Sequence, residues 1–79
     1  MTREEILAQV LKMVAMSYKV EESTLSESTS FKTDLGGASV QMVALVSEIE
    51  NELDVAIMLA DASACETIGD LINLIEEEM

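Results

Sequence analysis

Cys65 is the only cysteine in this chain and histidine is absent, so neither a disulfide nor a structural zinc site can hold the fold together. At 79 residues the chain is short enough that burial alone leaves it marginal. Its stability therefore has to come from closely packed aliphatic side chains. Phe31 and Tyr18 are the only aromatic residues, while Leu, Ile, Val and Met are plentiful. With 49% hydrophobic residues the chain stands well above the composition of disordered acidic segments. It is expected to fold, as one domain over residues 1–79.

Charge narrows the function classes. Four basic side chains face sixteen acidic ones, a net −12. Phosphate backbones would be repelled, and no basic stripe exists to release counterions, so nucleic-acid binding is not expected. An anionic lipid surface is disfavoured for the same reason. Uninterrupted apolar runs such as Val55 to Ala60 are far too short to span a bilayer, so no membrane insertion is expected. The lone thiol and the lack of a secretory apolar segment point to a reducing, cytoplasmic setting.

Hydrophobic periodicity predicts an all-α fold. Thr2-Arg3-Glu4-Glu5 reads as a capping box. Behind it Ile6, Leu7, Val10, Leu11 and Val14 fall on one side of a helix reaching about Met16. From Ser17 to Ala38 the period vanishes, and nine of the ten residues from Glu21 to Ser30 are Glu, Ser or Thr. A structureless stretch of that length needs pinning or a function; Val20, Leu25, Phe31 and Leu35 are spaced to pin it. Ser39 opens a second helix running to about Leu53. On a 100° wheel Met42, Leu45, Val46, Ile49 and Leu53 face the core. Val40 lies nearly opposite, beside Ala44, Ser47 and Asn51, with Val43 at the margin. The result is a small apolar spot rimmed by Glu48, Glu50 and Glu52.

Val55 to Leu59 has the composition of a strand but no partner segment, so an extended link is expected, leading to a short helical turn near Asp61 to Ala64. Thr67-Ile68-Gly69-Asp70 restarts the helical pattern, with Ile68, Leu71, Ile72 and Ile75 as its stripe. Glu76-Glu77-Glu78 sits at the negative end of that helix, where fraying is expected. The sum is a small four-helix bundle, three main helices plus one short one, with a long loop between the first two.

Chemistry of its own is poorly provided for. Without histidine the usual general base at neutral pH is missing, and a Ser-His-Asp arrangement is impossible. Glycines occur only at Gly36, Gly37 and Gly69, so phosphate-cradling glycine loops are absent, and the acids lack the spacing of a calcium loop. No metal site is expected. What stands out is Ser39. Two glycines precede it, and a helix N-terminus there offers amides and a dipole suited to a phosphate on its hydroxyl. An N-cap serine bonding to the amide of Gln41 or Met42 explains the same residue more simply. Residue physics leaves both open.

Phe31 with Asp34-Leu35-Gly36-Gly37-Ala38-Ser39-Val40, the acidic helix through Glu48-Ile49-Glu50-Asn51-Glu52-Leu53, and Thr67-Ile68-Gly69-Asp70-Leu71 together resemble the acyl carrier proteins. The likeness covers essentially the whole chain. It implies a non-enzymatic, monomeric carrier whose Ser39 bears a covalent 4′-phosphopantetheine, the cofactor that holds acyl groups as thioesters. A phosphopantetheinyl transferase would attach the arm, using coenzyme A and a divalent metal. Acyl-processing enzymes of fatty-acid, polyketide or specialised lipid biosynthesis would dock through basic patches. The partner-binding positions carried over are Val40, Val43, Ser47, Glu50 and Asn51. Cys65 would match a buried position of the third helix.

The chain departs from the family pattern beside its serine. Ala38 replaces the usual preceding acid, Val40 a leucine, Gln41 an acid, and Ala44 a frequent glutamate. Charge lost there alters partner choice and on-rate more than fold, which suggests a specialised carrier. The alternative from a different class is an unmodified acidic interaction module docking onto a basic partner through its second helix.

Overall fold

The computed structural model describes residues 2–36 and 39–79, apart from the side chain of Ser39. The three longer helices each begin or end for a local reason. Helix α1 spans Arg3–Tyr18. The hydroxyl of Thr2 accepts from the amide of Glu5 at 3.2 Å, and the Glu5 carboxylate accepts from the amide of Thr2 at 2.9 Å. The capping box is thus closed in both directions. The helix runs two residues past the expected Met16 and stops at Lys19, which sits in the left-handed region at φ 56°. The amide of Val20 then closes the end on the carbonyl of Ala15 at 3.1 Å. Ile6, Val10, Met13 and Val14 form its buried stripe, with Leu7 and Leu11 half-buried at the margins.

The long connection is pinned as expected. Leu25 and Phe31 are buried, Val20 and Leu35 pack against the core, and Phe31 lies 6.0 Å from the ring of Tyr18. Each buried large side chain contributes about 1.5–3 kcal/mol, which offsets much of the entropy of ordering a few loop residues. A single 3-10 turn, Glu22–Thr24, interrupts the coil. Backbone pairing completes the attachment. Phe31 donates to the carbonyl of Glu66 at 2.9 Å, Ile68 to Thr29 at 3.1 Å, and Gly69 to Glu27 at 2.8 Å. The loop is therefore stapled to the start of the last helix. The guanidinium of Arg3 reinforces it, reaching Glu27, Glu76 and, at 2.8 Å, Asn73.

Helix α2, Ser39–Leu53, buries Met42, Leu45, Val46, Ile49 and Leu53, the five residues the wheel assigns to the core. Asp54 ends it at φ 54°. Val55 and Ile57 are buried while Ala56 and Met58 between and after them are exposed, so the segment is an extended link. Helix α3 occupies Leu59–Ser63, two residues earlier at its start than the expected turn near Asp61. Met58 precedes it in extended conformation with no side-chain cap, so nothing in the residue types marks its beginning. Helix α4, Ile68–Glu78, opens on the capping box of Thr67 and Asp70 and fully buries Ile68, Leu71, Ile72 and Ile75. It stays helical through Glu78 where fraying was expected, and Arg3 paired with Glu76 relieves the charge at that end.

Helices α2 and α4 each pack on α1 and on α3. The described residues make an all-helical bundle of three main helices and one short one around a single aliphatic cluster. No helix among them is long and apolar enough to cross a membrane.

Candidate functional site

The turn before α2 is built by short-range bonds. The amide of Ser30 donates to Asp34 Oδ2 at 2.8 Å, and the amides of Asp34 and Leu35 both donate to the carbonyl of Ser30, at 3.0 and 3.2 Å. Gly36 follows at φ +83°, a conformation that a side chain would strain whatever the free space around it. Ser39 is the first residue of α2. Its hydroxyl and residues 37 and 38 lie outside the described residues, and so does the N-cap bond considered for Ser39. The backbone places the residue at the positive end of a helix of 15 residues whose first turn contains no acid. Such an end suits a phosphate, because unpaired amides and the dipole both favour negative charge there.

The residues carried over as docking positions stand on the side of α2 away from the core. Val40 is 78% exposed and Val43 48% exposed; Ser47, Glu50 and Asn51 are exposed as well. Ala44 shares their surface and Glu48 is half-buried. The start of α2 is thus apolar and its second half acidic, as the wheel anticipated.

Beside α2, two exposed apolar side chains escaped the sequence analysis. Met58 is 71% exposed and Leu59 44% exposed, at the start of α3, which packs against α2. The alternation from Val55 to Met58 was the available signal, since buried Val55 and Ile57 put Met58 outward.

Charge is segregated along the chain. All four cations precede residue 33, whereas eleven of the sixteen acids follow it. Among the described residues both ion pairs belong to Arg3, which leaves the acids of α2 without one. The unpaired acids of α2 steer basic surfaces towards that helix, an attraction screened by salt. Among the described residues no group of three or more potential ligands could hold a metal ion.

Cys65 corrects one expectation. It lies beyond the C-cap of α3 and is half-buried, neither in that helix nor fully enclosed. Its Sγ faces the carbonyl of Asp61 at 3.5 Å. Partial burial raises its pKa above the ordinary 9.0, with Asp70 and Asp61 adding to the rise. A thiol so held is a weak nucleophile at neutral pH.

The profile of the family described as a phosphopantetheine attachment site matches residues 5–75. The acyl carrier protein of Exiguobacterium sp. strain AT1b is 34% identical over 79 residues, covering all of both chains. That of Exiguobacterium sibiricum is 33% identical over the same 79 residues, again covering both in full. The acyl carrier protein of Thermotoga maritima is 33% identical over 78 residues, 99% of this chain and 96% of its own. The chain belongs to the acyl carrier protein family, whose members bear phosphopantetheine and are carriers rather than enzymes.

Proposed function

We propose that residues 1–79 form one monomeric, cytoplasmic carrier unit that is modified on Ser39 and delivers acyl intermediates to enzymes of fatty-acid, polyketide or specialised lipid biosynthesis. The observation that carries this is the placement of Ser39 as the first residue of α2, three residues after the left-handed Gly36 and beside the exposed Val40. A 4′-phosphopantetheine joined there through a phosphodiester supplies a terminal thiol on which acyl groups are held as thioesters. The chain's own part is to hold and present that group. The opening amides of α2 receive the phosphate, an interaction of about 0.3–1 kcal/mol at an exposed helix end. With Ala38 and Gln41 in place of acids, less negative charge opposes it.

Docking is assigned to Val40 and Val43 as apolar contacts and to Ser47, Glu50 and Asn51 as the polar and acidic flank. Met58 and Leu59 extend the apolar part from the neighbouring helix. Partners of this surface carry basic patches, the transferase among them. Apolar contacts at the centre set the dissociation rate, and the acids set the approach rate.

The test is an intact-mass measurement after incubation with coenzyme A, magnesium and a broad-range transferase. A gain of one phosphopantetheine unit, lost in Ser39→Ala, supports the carrier. No gain with several transferases favours an unmodified acidic docking module, the reading that the acid-free first turn of α2 keeps open.

A further inference from the structure

Five methionines stand among the described residues, and burial divides them into two groups. Met13 and Met42 are enclosed in the aliphatic cluster, whereas Met16, Met58 and Met79 are each more than half exposed. Attack on a thioether follows its access to solvent, so an oxidant reaches the second group and not the first. Oxygen added to Met13 or Met42 would place a polar group in the core. Oxygen added to the exposed three leaves the packing of the bundle as it is.

Of those three, Met58 belongs to the docking surface assigned above. Its direction is set by its neighbours. Val55 and Ile57 are buried, and the alternation of an extended segment then turns Met58 outward. Ala62, fully buried, seats the following turn against the core, its amide bonded to the carbonyl of Met58 at 3.0 Å. The thioether cannot fold inward without displacing that turn. Leu59 beside it is exposed too, and α3 packs against α2, from which Val40 and Val43 stand out. Methionine suits such a place, because an unbranched, polarisable side chain adapts to the differently shaped surfaces one carrier meets. The exposed Asp54 and Asp61 on either side repel anionic oxidants, which leaves uncharged hydroperoxides as the reagents.

We propose that Met58 is a reversible oxidation site through which hydroperoxides weaken docking, an inference that rests on the docking surface assigned above. The thioether sulfur attacks one oxygen of the hydroperoxide. Its lone pair forms the S–O bond as the O–O bond breaks. With hydrogen peroxide, the departing hydroxide takes the proton of the transferred hydroxyl and leaves as water. Sulfur is oxidised, and the peroxide reduced, by one electron pair. The sulfoxide is polar and needs a hydrogen-bond partner that an apolar contact does not offer. Binding of the partner weakens, while the hydroxyl that receives the arm is chemically unchanged.

The experiment treats the whole chain with hydrogen peroxide, removes the excess with catalase, and returns any sulfenic acid at Cys65 to the thiol with dithiothreitol. Tandem mass spectrometry should find added oxygen on Met58 and none on Met13 or Met42, and the urea midpoint should be unchanged. Transfer of phosphopantetheine from coenzyme A by a broad-range transferase then reads docking. The KM for the oxidised carrier should rise about three- to tenfold at unchanged kcat, the mark of lost binding alone. Methionine sulfoxide reductases for both epimers should reverse the rise. Met58→Leu should keep the untreated KM and lose the response to peroxide, although Met16 and Met79 remain oxidisable. A response that persists in Met58→Leu overturns the inference, as does a Met58 left unoxidised or a lowered urea midpoint; the carrier function then stands. Met58→Gln, polar without oxidation, should raise KM by itself. A wild-type KM in that variant removes Met58 from the docking surface and overturns the inference with it. If no transferase attaches an arm, the carrier function and the inference fall together.

Discussion

The amide of Gly69 donates to the carbonyl of Glu27 across 2.8 Å, and a methyl group at position 69 would stand 3.1 Å from that same oxygen. The contact joins the middle of the long loop to the first turn of α4, so the absent side chain is what allows the two segments to meet. The oxygen cannot retreat freely, because Thr29 beside it bonds Ile68 and the Glu27 carboxylate is held by Arg3. Gly69→Ala is therefore expected to destabilise the protein by about 1–2 kcal/mol in urea unfolding, through overpacking. Helix propensity alone predicts the opposite, a gain of up to about 1 kcal/mol. A stabilised variant would show that the loop yields.

Lys19 ends α1 in a left-handed conformation that costs a non-glycine residue about 1–2 kcal/mol. Glycine relieves that strain and returns part of the gain as unfolded-state entropy. Lys19→Gly should raise stability by a few tenths to about 1 kcal/mol, read as an increased urea midpoint at unchanged slope. A loss of stability would mean the lysine side chain contributes more than its backbone strain removes.

Much of the fold was legible because its signals are local. The capping boxes at Thr2–Glu5 and Thr67–Asp70 and the stripes of α2 and α4 depend on spacing alone, and the structure has each of them. What escaped depends on distant chain. Arg3 meets residues 24, 70 and 73 positions away, and the pairing of Thr29 with Ile68 has no signature in either segment. Met13, by contrast, was legible and was passed over: two helical turns bring it back beside Ile6, where it is buried. The end of α1 was missed because lysine, unlike glycine, does not advertise a left-handed stop. At the site, the outward placement of Val40, Ser47 and Asn51 followed from 100° steps. Met58 and Leu59 did not, since an uncapped turn after an extended link gives the wheel no starting point.

Glu5 accepts hydrogen bonds from the backbone and then the hydroxyl of Thr2, which lower its pKa below the ordinary 4.5. A depressed carboxyl supports the folded state above its unfolded pKa, and that support is lost as pH falls through the folded value. ¹³C-detected titration should place Glu5 below 4.5, and Thr2→Ala should return it part of the way, because the backbone donor remains. An unchanged value in the variant would deny the hydroxyl its part in the box.

The thiol of Cys65, raised by burial and by Asp70 and Asp61, should react with iodoacetamide at pH 8 more slowly than free cysteine. In urea the difference should vanish. Folded protein alkylated as fast as the free amino acid would contradict both its partial burial and its raised pKa. The same contrast lets the arm's thiol be labelled in the folded holo form ahead of Cys65.

The central claim concerns where the arm is attached. No lysine or arginine lies between Lys32 and Met79, so tryptic cleavage after Lys32 keeps residues 33–79, Ser39 among them, in one peptide. Tandem mass spectrometry of that peptide from protein purified from its native source should find phosphopantetheine on Ser39. An arm on Ser47, Ser63 or a threonine, or a peptide that never bears one, would contradict the account.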